Sequence, residues 1–121
     1  MYRLKVIDCF SSAHQLRGYR GKCEALHGHN WKVEVTVTGE RLDSIGLLID
    51  FKDLKEIVHA VLTQLDHKFL NDIPPFDELN PSSELMAQHL YTTIQDRLPG
   101  KVSLEAVCVW ESENSCAEYR P

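Results

Sequence analysis

The feature that most constrains the fold is a strict alternation of apolar and polar side chains over residues 29–38. From Trp31 to Val37 every second residue is apolar, and the residues between them are Lys, Glu or Thr. This period of two is typical of a β-strand with one buried face and one exposed face. The chain therefore needs a sheet with a covered face, and we expect the other apolar segments to extend or cover that sheet.

Three further segments are predicted to be strands. Residues 2–10 are rich in β-branched and aromatic side chains, and this strand is expected to continue with some irregularity through 11–14. Near the other end of the chain, residues 102–111 form an apolar run, and a short strand over 116–120 follows a polar turn. The four strands make two hairpins, one on each side of the central part of the chain.

That central part is predicted to contain two helices. Apolar residues recur at helical spacing over 52–66, which predicts an amphipathic helix. A second helix is predicted to begin near Pro81 and to end at Pro99 and Gly100. Two hairpins with two helices between them predict an α+β fold, in which a four-stranded antiparallel sheet carries both helices on one face.

Length and charge narrow the class of protein. With 121 residues the chain is predicted to form one domain over 1–121. A net charge of −5 argues against a nucleic-acid or anionic-membrane partner, because neither attracts a negative surface. The first ten residues lack the apolar region of a signal peptide, and no apolar run approaches the ~18 residues of a membrane span. We therefore expect a cytoplasmic protein.

The four cysteines are expected to be reduced in that compartment. Cys9 and Cys108 lie in apolar strand segments, and we predict both to be small core residues. Cys23 lies in a polar, glycine-containing loop beside Lys22, whose charge could stabilise a thiolate. The pattern around Cys116 favours no role.

Two histidines, His27 and His29, alternate with a glycine directly before the alternating strand. Their spacing places both on the face of Trp31. Two adjacent imidazoles would repel each other if charged and would lack partners if buried and neutral, whereas a shared Zn²⁺ accepts both lone pairs. His14 ends the first strand and would lie opposite the pair in a hairpin. Three histidines favour a catalytic zinc site with an open fourth position; the alternative is ordinary surface or hydrogen-bonded histidines.

Two other groups have competing interpretations. Cys23 precedes His27 by four residues, and it could close the site as a fourth ligand or face the substrate as a nucleophile or base. Asp66 and His67 lie where the first helix is predicted to end. One interpretation is that the carboxylate and the imidazole form a proton-transfer group. The alternative is that His67 only complements the dipole at the C-terminus of the helix. Because adjacent residues on a helix end do not face each other, we expect Asp66 to orient a different group.

One carboxylate and a group of basic residues are further candidates for binding the substrate. Glu111 ends an apolar strand, where it is either solvated or a bidentate acceptor for a guanidine-like N–H/NH₂ edge. Four basic residues near the N-terminus either bind a small anion such as phosphate or are solvated surface charges. They are Lys5, Arg17, Arg20 and Lys22.

Six short motifs occur in order along the chain: FSSAH, CxxxHGHN, IDFxxL, LDHKFLND, NPSSE and WES. Through them nearly the whole chain resembles the 6-pyruvoyl-tetrahydropterin synthase family. Three residues separate Cys23 from His27, and this spacing resembles that of the bacterial branch that forms 6-carboxy-tetrahydropterin. The pyruvoyl-forming branch has a longer insertion at this point.

The resemblance implies a zinc-dependent lyase of 7-deazaguanine (preQ0/queuosine) biosynthesis. Its implied substrate is 7,8-dihydroneopterin triphosphate, and its products are 6-carboxy-5,6,7,8-tetrahydropterin, acetaldehyde and triphosphate. Three alternatives stay open: a pyruvoyl-forming synthase, a non-catalytic zinc- or pterin-binding module, and a zinc hydrolase.

The resemblance also implies roles for single residues. Cys23 is the implied proton acceptor, and Asp66 and His67 support it as a charge-relay pair. The implied zinc ligands are His14, His27 and His29.

The implied substrate pocket holds the pterin ring on Glu111, through its 2-amino group and N3. Glu84, Ser82 and Ser83 line the same pocket, and Ser82 stands where the family usually has a threonine. Family members have a tunnelling fold (T-fold), in which trimers close a barrel, two trimers stack as a hexamer, and the pockets lie between subunits.

Overall fold

The protein, in a computed structural model that describes residues 1–121, contains one four-stranded antiparallel sheet with the strands in chain order. The strands are β1 (Tyr2–His14), β2 (His27–Gly39), β3 (Ser103–Trp110) and β4 (Cys116–Tyr119). Two helices, α1 (Phe51–Leu62) and α2 (Ser83–Gln95), and a short 3₁₀ turn over Leu70–Asp72 lie between the hairpins. The predicted α+β architecture, a four-stranded antiparallel sheet with two helices, is confirmed. Neither helix combines the length and apolarity that a membrane span needs.

The pairing of β1 with β2 is regular over its full length, from Tyr2 opposite Gly39 to His14 opposite His27. The irregularity expected over residues 11–14 is therefore absent. This register brings the end of β1 against the start of β2, and it places Ser12 opposite His29. The two histidine-bearing segments meet at one end of the sheet.

Both helices cover the same face of the sheet. The alternating side chains of β2, from Trp31 to Val37, are fully buried and belong to one apolar cluster with the inward faces of α1 and α2. Leu54 and Val58 contribute from α1, and Leu90 contributes from α2. Strand alternation thus assigns each residue of β2 either to this helix-covered face or to the opposite, helix-free face.

Helix α1 is shorter than predicted, because it ends at Leu62 and not at residue 66. Asp50 caps its N-terminus by accepting a hydrogen bond from the Lys52 N–H. After Leu62 the chain tightens into turns, and His67 adopts a left-handed backbone conformation with φ of 55°. The residues that follow the helix, Asp66 to Lys68, can therefore form hydrogen bonds with Ser11 and Ala13 of β1.

One of the two core predictions for cysteine is wrong. Cys9 pairs with Lys32 on the helix-free face, and it is exposed because β1 is an edge strand with a neighbour on one side only. Cys108 also lies on that face but is buried, because β3 has a strand on each side. Burial, together with the nearby Cys116 thiol, raises the pKa of Cys108 to about 12.

Candidate metal centre and active site

Three imidazoles converge on the helix-covered face where β1 ends and β2 begins. The ring centroid of His14 lies 4.6 Å from that of His27 and 5.1 Å from that of His29. The His27 and His29 centroids are 4.7 Å apart. His14 is buried, and the other two are half-buried. The hairpin register therefore brings together the three side chains that the sequence suggested as ligands.

Backbone carbonyls fix the orientation of two of these rings. The Nδ1 atom of His14 lies 2.8 Å from the Pro81 carbonyl oxygen, and that of His27 lies 2.8 Å from the Ala25 carbonyl oxygen. Since a carbonyl only accepts, each Nδ1 donates, and the neutral ring keeps its lone pair on Nε2. The two Nε2 atoms are 3.0 Å apart, so their lone pairs face each other. This arrangement is typical of metal-binding histidines.

Glu111 brings a carboxylate to the same point. Its Oε1 atom lies 2.9 Å from the Nε2 of His29, 3.9 Å from that of His14 and 4.0 Å from that of His27. The Nε2 of His29 is buried and makes no well-directed hydrogen bond. Burial lowers the pKa of His29, against the opposing effect of the Glu111 charge. A lowered pKa favours the neutral imidazole, which is the form that can bind a cation.

These four side chains could hold a metal ion, because their ligand atoms all lie within 4.8 Å of one another. Three imidazole nitrogens with one carboxylate oxygen form a donor set that suits Zn²⁺. Cys23 is not part of this group, and its side chain is exposed in the loop between β1 and β2. The fourth donor beside the histidines is therefore Glu111, for which the family resemblance had implied a catalytic role and contact with the pterin ring. The sequence could have indicated this position. Glu111 lies two residues after the buried Val109 in the predicted strand, so both side chains belong to the same face of the sheet.

Asp66 and His67 form a pair on the outer side of β1. The expectation that they do not face each other is wrong, because the Nδ1 of His67 lies 2.9 Å from the Oδ2 of Asp66. The early end of α1 and the positive φ of His67 turn the ring back onto the carboxylate. Asp66 also accepts a 2.8 Å hydrogen bond from the Ser11 N–H, which is the largest cause lowering the pKa of Asp66; the bond with His67 is the second.

A family model described as 6-pyruvoyl tetrahydropterin synthase matches residues 3–121. The chain belongs to this family. A 6-carboxy-5,6,7,8-tetrahydropterin synthase of Bacillus subtilis (strain 168) is 36% identical over 119 residues, covering 92% of this chain and 80% of the relative. A 6-pyruvoyl tetrahydrobiopterin synthase of Homo sapiens is 38% identical over 104 residues, covering 83% and 71%. The structure of the Caenorhabditis elegans 6-pyruvoyl tetrahydropterin synthase shares the fold, with a TM-score of 0.87 at 23% identity over 99% of this chain and 95% of that one.

In this member of the 6-pyruvoyl tetrahydropterin synthase family, the start of α2 borders the cluster. Ser82 caps the helix by accepting from the Leu85 N–H, and the Ser83 hydroxyl lies 3.4 Å from the Oε2 of Glu111. Glu84 and Glu111 line one cavity of about 430 Å³. Ser83, Glu84 and Glu111 thus surround a single space, whereas the Ser82 hydroxyl is used by the helix.

The basic residues near the N-terminus are not equivalent. The Arg17 guanidinium donates to three backbone carbonyls and so braces a loop; these belong to Asn71, Phe76 and Leu79. Lys5 lies 3.4 Å from a carboxylate oxygen of Glu34. Arg20 and Lys22 lie exposed in the Cys23 loop. Arg20 and Lys22 are therefore the basic residues closest in sequence to Cys23, the candidate proton acceptor.

Proposed function

We propose that the protein is a zinc-dependent lyase, a 6-carboxy-5,6,7,8-tetrahydropterin synthase, formed by a single domain over residues 1–121. It converts 7,8-dihydroneopterin triphosphate and water to 6-carboxy-5,6,7,8-tetrahydropterin, acetaldehyde and triphosphate in cytoplasmic 7-deazaguanine biosynthesis. The observation that carries the proposal is the convergence of three histidine Nε2 atoms at one end of the sheet, in a chain 36% identical to a relative of that name. The short spacing between Cys23 and His27 supports the same branch of the family.

The metal ligands in this proposal are His14, His27 and His29, each through Nε2. The Pro81 and Ala25 carbonyls hold two of the rings in the tautomer that a cation requires. When bound, Zn²⁺ supplies Lewis-acid polarisation of the vicinal hydroxyl groups on the substrate side chain.

Cys23 and the Asp66–His67 pair move protons. Cys23 takes a carbon-bound proton from the substrate side chain as the general base. His67 relays or returns protons, and Asp66 fixes its ring through the 2.9 Å contact. Triphosphate then leaves as an anion, and cleavage of the carbon–carbon bond, with water supplying the second carboxylate oxygen, releases acetaldehyde.

Glu111 and the start of α2 bind the pterin ring. A carboxylate with both oxygens free accepts two parallel hydrogen bonds, which matches the 2-amino and N3 edge of a pterin. Glu84 and Ser83 complete the pocket around the ring, and Ser82 holds the start of α2 by capping it. The cavity of about 430 Å³ between Ser83, Glu84 and Glu111 supports this assignment.

The site is completed between subunits of a homo-oligomer, a hexamer formed by two trimers. Two features of the single chain support this. The sheet has unpaired edges at β1 and β4, which closure by neighbouring copies would remove. The Asp66–His67 pair docks on the outer edge of β1 with the His67 side chain 82% exposed, where a neighbouring copy can reach it.

Product analysis tests the proposed reaction. Purified, zinc-loaded protein is incubated with 7,8-dihydroneopterin triphosphate, and acetaldehyde and the pterin product are measured, with His29→Ala as the inactive control. Acetaldehyde together with 6-carboxy-tetrahydropterin is the expected result. Triphosphate release without acetaldehyde would instead identify a 6-pyruvoyl-tetrahydropterin synthase, the alternative favoured by the 38% identity to the human relative. No turnover with intact metal and pterin binding would indicate a non-catalytic binding module.

A further inference from the structure

Two of the motifs that carry the family resemblance each contain an asparagine to which the proposed reaction gives no role. Asn71 belongs to LDHKFLND, and Asn80 begins NPSSE. Asn71 is buried and Asn80 is half-buried. Both side chains face the short segment that continues the chain beyond His14, the last residue of β1, and both form hydrogen bonds with the backbone of that segment.

Each asparagine pairs with one residue of this segment as a neighbouring strand would. The amide oxygen of Asn71 accepts from the Gln15 N–H at 3.0 Å, and its amide nitrogen donates to the Gln15 carbonyl at 2.7 Å. The amide of Asn80 makes the same two hydrogen bonds with Arg17, at 2.8 and 2.9 Å. A primary amide carries an acceptor and a donor side by side, so it can replace a peptide unit. Residues 15 and 17 are therefore fixed, although neither belongs to a strand.

The Arg17 side chain strengthens the same attachment from the opposite direction. Its guanidinium donates to three carbonyl oxygens of the facing loop at 3.3, 2.7 and 3.0 Å, those of Asn71, Phe76 and Leu79. The Pro81 carbonyl of this loop also orients the ring of His14. One loop, residues 71–81, thus positions both a proposed metal ligand and the segment 15–17.

Leu16, between the two fixed residues, directs its backbone groups to the other side of the segment, where they meet Glu24. The Leu16 carbonyl accepts from the Glu24 N–H at 2.8 Å, and the Leu16 N–H donates to a Glu24 carboxylate oxygen at 3.4 Å. The Gln15 side chain adds a 2.9 Å hydrogen bond to the Glu24 carbonyl. Since alternate residues of an extended chain direct their backbone groups to opposite sides, one short segment can bind two partners.

The residues before Cys23 form no hydrogen bonds with the rest of the protein. Residues 18–22 make a tight turn that is closed by two backbone hydrogen bonds within the turn, and Cys23 itself makes none. The position of Cys23 is therefore set through its next neighbour, Glu24, which is attached to the segment 15–17.

We propose that Asn71 and Asn80 are positioning residues for the proton acceptor. Their amides fix the segment 15–17, and this segment holds Glu24, and thereby Cys23, in place relative to the histidine cluster. The attachment stands on these hydrogen bonds alone, whereas its effect on the reaction rests on the proposed role of Cys23. Displacement of a reacting group by about 1 Å can cost about 10²-fold in rate, so residues that never contact the substrate can control turnover.

Hydrogen exchange tests the attachment without an assay of activity. Peptide-resolved exchange is measured by mass spectrometry on the zinc-loaded wild type, Asn80→Ala and Asn114→Ala. Asn80→Ala removes both hydrogen bonds to Arg17, and two hydrogen bonds of ordinary net strength correspond to about a tenfold change in local opening. We therefore expect exchange over residues 15–24 to rise about tenfold, with α1 unchanged.

Asn114→Ala is the matched control, because Asn114 lies in the exposed turn after β3 and its side chain forms no hydrogen bond. This variant should match wild type. Unchanged exchange over residues 15–24 in Asn80→Ala, or an equal rise in every part of the chain, would overturn the attachment.

A milder variant, Gln15→Ala, keeps both asparagine pairs and loses only the side-chain hydrogen bond to the Glu24 carbonyl. Its expected effect is a rise in exchange of about threefold over residues 18–24. No rise there would overturn the link between the segment 15–17 and Glu24, and this result does not depend on the folding of Asn80→Ala.

Steady-state kinetics with 7,8-dihydroneopterin triphosphate at saturating zinc test the effect on the reaction. Asn80→Ala is expected to lose at least about tenfold in kcat with KM within about threefold of wild type, because the base is displaced and the pterin pocket is retained. Val58→Ala opens a cavity in the core beneath α1 and is the control for lost stability alone. It should keep the wild-type kcat at temperatures where it is folded.

A wild-type kcat in Asn80→Ala, despite raised local exchange, would overturn the positioning role, as would an equal loss of kcat in Val58→Ala. Absence of product formation by wild type would overturn the proposed reaction and the positioning role with it. The attachment of the Cys23 loop would still be decided by hydrogen exchange.

Discussion

Two histidine–carboxylate pairs in this protein have the same separation and opposite surroundings. The nitrogen–oxygen distance is 2.9 Å between His29 and Glu111, and 2.9 Å between His67 and Asp66. The first pair lies beside two other imidazoles, and its buried Nε2 has no well-directed hydrogen bond. The second is held on edge strand β1, with the His67 side chain 82% exposed.

The surroundings decide what each pair suits. Burial lowers the pKa of His29, which keeps that ring neutral and able to bind a cation. The Ser11 N–H lowers the pKa of Asp66, which keeps that carboxylate charged and able to orient the His67 ring. A histidine paired with a carboxylate thus suits metal binding in one place and proton transfer in the other.

The largest effect is expected from removing a histidine of the cluster. His29→Ala deletes one of the converging Nε2 atoms, so metal affinity should fall by at least about 100-fold, and activity should be lost with it. Metal content by elemental analysis after dialysis checks this. His59 is exposed and contacts Asp8 away from the cluster, so His59→Ala should retain the metal. Equal metal content in both variants would contradict the assignment.

Removal of the proton acceptor should spare the cluster. Cys23→Ala is expected to retain zinc and fold but to lose at least about 10²-fold in kcat, the typical contribution of a general base. Cys9→Ala is the matched control, since Cys9 is also an exposed thiol and lies on the helix-free face. Steady-state acetaldehyde release provides the measurement. Turnover of Cys23→Ala at the wild-type rate would eliminate the thiolate mechanism.

Mixing two inactive variants tests whether the two pairs meet between copies of the chain. His29→Ala keeps an intact Asp66–His67 pair, and His67→Ala keeps an intact metal cluster. If the site is shared between subunits, co-refolded mixtures should recover part of the wild-type activity, which neither variant shows alone. Mixtures as inactive as the separate variants would place both pairs of one site in a single chain.

The smallest effect concerns the pH dependence of stability. The folded-state pKa of Asp66 lies below its ordinary value of 3.8, so its ionised form stabilises the fold. This contribution is complete above the ordinary pKa and is lost as the pH falls through the lowered folded pKa. Asp66→Asn should therefore reduce the free energy of unfolding at pH 7 and converge with wild type in acid.

Denaturant titrations across pH 2–7 check this expectation. Asp77→Asn is a suitable control, because Asp77 is exposed. A difference between wild type and Asp66→Asn that persists unchanged in acid would show that the effect does not come from ionisation.

Local patterns in the sequence determined where the strands lie along the chain, the existence of both helices and the faces to which residues such as His27, His29 and Trp31 belong. They could do so because periods of two and 3.6 residues follow from backbone geometry alone. The register of β1 with β2, needed to bring His14 to the pair, followed from hairpin pairing.

Only the tertiary structure decided which distant residues meet. It placed the Glu111 carboxylate among the histidines, docked the Asp66–His67 pair on Ser11, and left Cys9 exposed while burying Cys108. Periodicity assigns a side chain to a face, but the position of a strand within the sheet and the place where a helix stops depend on packing between segments far apart in the chain. For that reason the metal ligands could be suggested from sequence, whereas the position of Glu111 among them emerged from the fold.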